Sequence, residues 1–306
     1  MESIEKTIDR IYRNVFGLRY VDLSYRELTL SRVRALSKAL EVNTTLQKLY
    51  LSYNNLGNCP KSMKALSKAL GVNKTLQVLD LGGNNLGNCP DGLKFLSEAL
   101  KDNNILQELW LNNNNLGDCP EGVIFLSEAL KANGTLQVLR LGINNLGNCP
   151  DPSGVKALSK ALEVNKTLRR LDLGLNNLGN RIEIMDSLSE ALKVNNALKT
   201  LHLYNNNFEN CPAKLYSLSK ALEVNETLQN LDLSFNNLRN RPDSSGENFL
   251  LEILKKNSSI EDVWVGGCNI ERAVLVEMQS IFKRNNNNNL LKNSCLFGLL
   301  IPTLID

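Results

Sequence analysis

Thr45-Leu46-Gln47-Lys48-Leu49-Tyr50-Leu51-Ser52-Tyr53-Asn54-Asn55-Leu56 is a line that the chain writes repeatedly. Near copies begin at Thr75, Ile105, Thr135, Thr167, Ala197 and Thr227, so the period is 30 or 32 residues. Self-similarity at such a period is the signature of stacked repeats. The frame Leu46-x-x-Leu49-x-Leu51-x-x-Asn54-x-Leu56 restarts at Leu76, Leu106, Leu136, Leu168, Leu198 and Leu228. Leu49 and Leu51 alternate with polar or variable residues, the pattern of a short half-buried strand. Farther on, Met63, Leu66, Ala69 and Leu70 fall at helical spacing. Pro60 is placed to open that helix, and Asn73 is expected to close it in a left-handed cap.

One such unit cannot bury its apolar stripe alone, but a stack of them makes a continuous core. Parallel strands stack about 4.8 Å apart while packed helices need roughly 8 to 10 Å, so the stack bends with its sheet inside. On these residues the chain resembles a leucine-rich-repeat protein of the ribonuclease-inhibitor-like class, the kind found at the sensing end of NOD-like receptors. The resemblance runs from about Leu18 to Arg284 and implies an α/β solenoid, a horseshoe with a parallel concave sheet and outer helices. Residues 1–17 read as an amphipathic helical cap, 18–284 as the repeat domain, and 285–306 as an Asn-rich linker with an apolar tail. Arg26 stands where the first coil would carry its asparagine, and Ile260-x-x-Val263-x-Val265-x-x-Cys268-x-Ile270 is a weaker last repeat. The tail is expected to fold over the last coil.

Composition narrows the function by exclusion. The balance of 35 basic against 32 acidic residues leaves only +3, with no Lys/Arg block, so nucleic acid is not expected as a partner. The first residues hold Glu2, Glu5 and Lys6 and no apolar stretch, so no secretory signal is read and a cytoplasmic location is expected. The longest apolar run, Cys295 to Ile305, is about half of what a membrane-spanning helix needs. Seven cysteines, an odd number, imply no disulfide framework. Five of them, Cys59, Cys89, Cys119, Cys149 and Cys211, recur once per coil before the helix. Such a ladder does not converge on a point as metal ligands must, so neither metal nor cofactor is expected. The two caps leave no need for a second copy, and a monomer is expected.

Other recurrent residues also have structural readings. Asn54, Asn84, Asn114, Asn144, Asn176, Asn206 and Asn236 are expected to point inward and bond the turning backbone. Asn43, Asn73, Asn133, Asn165, Asn225 and Asn257 begin N-x-Ser/Thr sequences only because a helix-ending asparagine precedes the next strand. The Asn-Leu-Gly-Asn loops lack phosphate-loop spacing.

Differences between otherwise near-identical units gather on the strand. The residue between the two core leucines is Asp22, Tyr50, Asp80, Trp110, Arg140, Asp172, His202, Asp232 and Trp264 in successive coils. This column holds both tryptophans and the chain's one histidine. Tyr20, Lys48, Val78, Glu108, Val138, Arg170 and Thr200 form the varying column on one side of it and Tyr53, Asn113, Ile143, Leu175 and Phe235 the column on the other, and Asn112 and Tyr204 join the candidate concave residues. On the outer helix, which is also expected to be partly exposed, the residue after the serine is only Lys68, Glu98, Glu128, Lys160, Glu190 or Lys220. Large rigid aromatics are enriched at binding hot spots. The concave residues are therefore expected to hold a protein partner, with Trp110 and Tyr50 as anchors. His202 between two carboxylates suggests catalysis, but no activated Ser or Cys stands near it in the pattern, so no enzyme is expected. Two alternatives remain: a GTPase activator resembling Ran GTPase-activating proteins and using Arg181, Arg239 or Arg241, or a cytoskeletal binding protein.

Overall fold

A computed structural model of the chain describes residues 2–208, 212–238 and 245–285. Cys211, Arg239, Arg241, Ser244 and the segment 286–306 lie outside the described residues. Each repeat line becomes one three-residue strand: β1 (Tyr20–Asp22), β2 (Lys48–Tyr50), β3 (Val78–Asp80), β4 (Glu108–Trp110) and β5 (Val138–Arg140). The series continues with β6 (Arg170–Asp172), β7 (Thr200–His202), β8 (Asn230–Asp232) and β9 (Asp262–Trp264). All nine pair in parallel and in sequence order, a single open sheet. The register is that of the repeat, with Leu49 opposite Leu79 and Leu79 opposite Leu109. Leu46, Leu49, Leu51 and Leu56 are buried, as are Met63, Leu66, Ala69 and Leu70 of the helix α3 (Pro60–Val72) on the same coil. Pro60 occupies the first turn of that helix, where the N–H it lacks would have no helical partner.

The asparagines of the frame do what the sequence suggests. Asn114 donates to the carbonyls of Leu81 and Leu111 at 2.9 and 3.0 Å, and its oxygen accepts from the N–H groups of Asn84 and Leu86. One side chain thus satisfies backbone groups on two coils, and the ladder seals the inner turn.

The second asparagine column corrects an expectation. Asn73 ends α3 in extended backbone, φ −66° and ψ 136°, not in a left-handed cap. Its amide donates to Leu40 O at 2.7 Å, in the last turn of α2 (Leu30–Val42), while its oxygen accepts from Thr75 and Leu76 N–H. Asn73 therefore caps the preceding helix, whose last carbonyls lack helical partners, and the chain stays extended because the next strand follows at once. Left-handed residues occur instead in pairs in the strand-to-helix turn, such as Tyr53 and Asn55.

The N-terminal helix α1 (Ile4–Tyr12) closes the first coil with Ile4, Ile8 and Ile11, all buried in the common core. Asn43 ties it in by donating to Ile11 O at 2.7 Å, and Arg26 donates to Glu2 O at 2.9 Å. At the other end, the helix Arg272–Asn285 packs on the helix Ser245–Lys256 and buries Met278 and Ile281.

Candidate functional site

The register lines up the variable column: Asp22 opposite Tyr50, Tyr50 opposite Asp80, Asp80 opposite Trp110, Trp110 opposite Arg140, and so to Asp232 opposite Trp264. Within it two clusters form. In the first, the Tyr20 and Tyr50 rings lie 5.1 Å apart, and Tyr50 meets Trp110 edge-on at 5.5 Å, reaching across the rung of Asp80. The Arg140 guanidinium lies over the Trp110 ring at 3.9 Å, and the indole N–H donates to Glu108 Oε2 at 3.2 Å. In the second, His202 meets Trp264 edge-on at 6.3 Å across the rung of Asp232, with Tyr204 at 6.5 Å. An aromatic pair bridging an aspartate thus occurs twice on the sheet. Lys48 and Arg170 are exposed on the neighbouring column.

A further row borders this face. Tyr53, Ile143, Leu175 and Phe235 have φ of 56°, 58°, 56° and 58°, the left-handed region that Gly83 and Gly267 fill in other coils. Bulky and β-branched side chains are uncommon there. Three of them remain exposed, at 40% for Tyr53, 45% for Ile143 and 51% for Phe235. Tyr25, just before Arg26 in the first coil, also belongs to this row with φ of 57°, a residue that the sequence reading leaves out of its candidates. Its ring stacks on Tyr53 at 4.5 Å and 10°, and Asn113 donates to the Tyr53 hydroxyl at 3.1 Å.

The model of the leucine-rich repeat matches residues 42–58, 72–89, 164–182 and 224–241. The leucine-rich-repeat-containing protein LegL7 of Legionella pneumophila shares the fold, with a TM-score of 0.61 and 21% identity over 86% of this chain and 79% of that one. The chain is a leucine-rich-repeat protein. The tropomodulin C-terminal domain of Caenorhabditis elegans matches with a TM-score of 0.38, 15% identity and coverage of 63% and 93%. Actin-binding site 2 of leiomodin-1 matches with 0.36, 19%, 63% and 91%. No curated protein matches the chain.

In this leucine-rich-repeat protein the aspartates of the column divide into two kinds. Asp22, Asp172 and Asp232 each accept from the N–H two residues on, fixing the exit of the strand while remaining partly or fully exposed. Asp80, expected to face solvent, is only 7% exposed, because Tyr50 and Trp110 close over it. Its oxygens accept from Ser52 Oγ and Gly82 N–H. Burial pushes the Asp80 pKa up, and the hydrogen bonds and Arg140 oppose that shift only in part. A carboxyl with a raised folded pKa disfavours the folded state once ionised, and that penalty fades as pH falls through the folded pKa. Asp80→Asn carries no charge, keeps an acceptor for Gly82 N–H and turns the Ser52 contact round, so that the amide donates to Ser52 Oγ. It is expected to be at least as stable as the native chain at pH 7 in urea unfolding, with the difference shrinking as pH falls toward 4. A clear loss of stability at pH 7 would show that the charge itself is needed.

His202 stands between Asp172 and Asp232 in the register. Burial lowers its pKa, with Arg170 and Arg140 acting in the same direction and the two aspartates against it, so the imidazole is neutral at pH 7. Tyr204 covers the Gly174 backbone, where a Cβ would meet its ring at 2.2 Å, and burial raises its pKa to about 12. The pair offers a neutral imidazole and a protonated phenol, hydrogen-bonding groups suited to recognition. Arg181 lies away from this face, at the start of the helix Ile182–Val194. Among the described residues no group of three or more His, Cys, Asp or Glu could hold a metal ion, and no helix is long and apolar enough to cross a membrane.

Proposed function

We propose that the protein is an interaction module that holds a protein partner against its concave sheet. The observation that carries this reading is the Tyr20, Tyr50, Trp110 and Arg140 cluster: rigid aromatic surface, already organised by ring contacts, left half-covered on the inner face. Preorganised aromatic and arginine side chains make binding hot spots because little side-chain entropy is left to lose. The second cluster, His202, Tyr204 and Trp264, with Asp172 and Asp232, offers polar contacts that begin on the rung next to Arg140. A partner that spans both is selected by shape as well as by charge.

Trp110→Ala tests the reading. Truncating a central aromatic hot spot costs about 2 kcal/mol or more of binding, over twentyfold in affinity. Quantitative capture with the intact chain, Trp110→Ala and the outer-helix control Lys68→Ala is expected to show a protein held by the first and third and lost by the second. Circular dichroism should be unchanged. If every captured protein survives Trp110→Ala, the assignment of the concave face is wrong.

A further inference from the structure

Arg140 is oriented by an aromatic ring and not by a carboxylate. Among the described residues its guanidinium makes no hydrogen bond and has no carboxylate oxygen within 4 Å, although three acidic side chains surround it. Each of the three is engaged elsewhere. Glu108 accepts from the Trp110 indole, Asp80 from Ser52 and Gly82, and Asp172, its cross-strand neighbour, from Gly174 N–H. Arg170, one coil along on the adjacent column, is exposed and likewise without an ion pair among the described residues.

A partner lying on Trp110 must also cover Arg140, since the two groups are stacked at 3.9 Å. Covering a guanidinium strips water from its N–H donors, and that penalty is offset only if an acceptor, best a carboxylate, takes their place. The planar fork held flat on the indole is preorganised for such a contact, which a lysine would not reproduce. The acidic neighbours also select the ligand: Glu108 and Asp172 repel a dianionic phosphate ester more than a singly charged carboxylate.

Resting on the reading of the concave face as a protein-binding surface, we propose that Arg140, with Arg170 beside it, takes a side-chain carboxylate of an acidic partner segment whose neighbouring apolar residue covers Trp110. This contact sets the specificity of the face.

The test is selection of a phage-displayed library of random linear peptides on the full chain. Enriched peptides are expected to carry Asp or Glu next to a large apolar residue. A synthesised member, titrated by calorimetry, should bind Arg140→Gln about tenfold to a hundredfold more weakly. Arg140→Lys should recover little of that loss, and Lys68→Ala should match the native chain. Replacing the peptide's acidic residue by its amide should weaken binding to the native chain but not to Arg140→Gln. Enrichment of neutral or basic sequences, no enrichment, or undiminished binding by Arg140→Gln would overturn the proposal. Peptides lost by Trp110→Ala yet kept by Arg140→Gln would leave the concave face as the binding surface and remove the carboxylate. Peptides indifferent to both variants would remove both.

Discussion

Gly87→Ala is expected to destabilise the chain by about 3 kcal/mol, whereas Gly71→Ala is expected to stabilise it by about 0.5 to 1 kcal/mol. The contrast follows from what a methyl group meets. At Gly87 a Cβ would lie 2.1 Å from the carbonyl oxygen of Asn115 and 2.7 Å from its carbon, both in the next coil. The obstacle is backbone, and that backbone is itself fixed, since Gly87 N–H donates to Asn114 O at 2.8 Å. The coils must part for the methyl to fit, and parting them breaks this bond and the asparagine ladder beside it. Gly57, Gly117, Gly147 and Gly179 face their next coils in the same way, so the close approach is a property of the stack. Gly71, near the end of α3, has nothing within 4 Å of a new Cβ, and alanine there gains helix propensity without a clash. Guanidinium unfolding of both variants decides the matter. A Gly87→Ala variant as stable as the native chain would show that the turn glycines are not packing constraints.

Much of this architecture is legible in the sequence because its physics is local. The Leu49 and Leu51 alternation gives the strand, the Met63 to Leu70 spacing gives the helix, and the recurring leucine and asparagine frame fixes the register. What escapes the sequence depends on contacts between coils. Asn73 reads as the end of its own helix, yet its amide serves Leu40 of the helix before, 33 residues earlier. Asp80 sits at an outward position of the alternation, but its short side chain lets Tyr50 and Trp110 meet above it, which no single repeat reveals. The left-handed row is hidden for the opposite reason. Local preference at those positions calls for glycine or asparagine, and Tyr53, Ile143, Leu175 and Phe235 contradict it. Such residues persist only where the surrounding stack over-determines the backbone. Of the candidate binding residues, the sequence therefore places the column, while the pairing of Arg140 with Trp110 instead of Asp172 needs three dimensions.

Asn144→Ala is expected to cost about 3 to 5 kcal/mol and to weaken partner binding although Asn144 touches no partner. Its side chain is fully buried and makes five hydrogen bonds. The amide donates to Leu111 O and Leu141 O at 2.9 Å and to Gly142 O at 3.3 Å. The oxygen accepts from Asn114 N–H at 2.8 Å and Leu116 N–H at 3.3 Å. Alanine leaves those two N–H groups buried without an acceptor, each costing about 1 to 3 kcal/mol, in addition to a cavity. Asn144→Asp restores an acceptor but places a charge against the Leu111 and Leu141 carbonyls, so it should be no better. Because each coil is held mainly by its neighbours, the damage should begin locally. Native-state hydrogen exchange is expected to show Asn114 and Leu116 losing protection first. These amides lie just beyond Trp110, and Asn144 lies just beyond Arg140, so the same loosening frees both members of the stacked pair. Stability within about 1 kcal/mol of the native chain, below the cost of even one orphaned buried N–H, would show that water enters the turn and replaces the ladder.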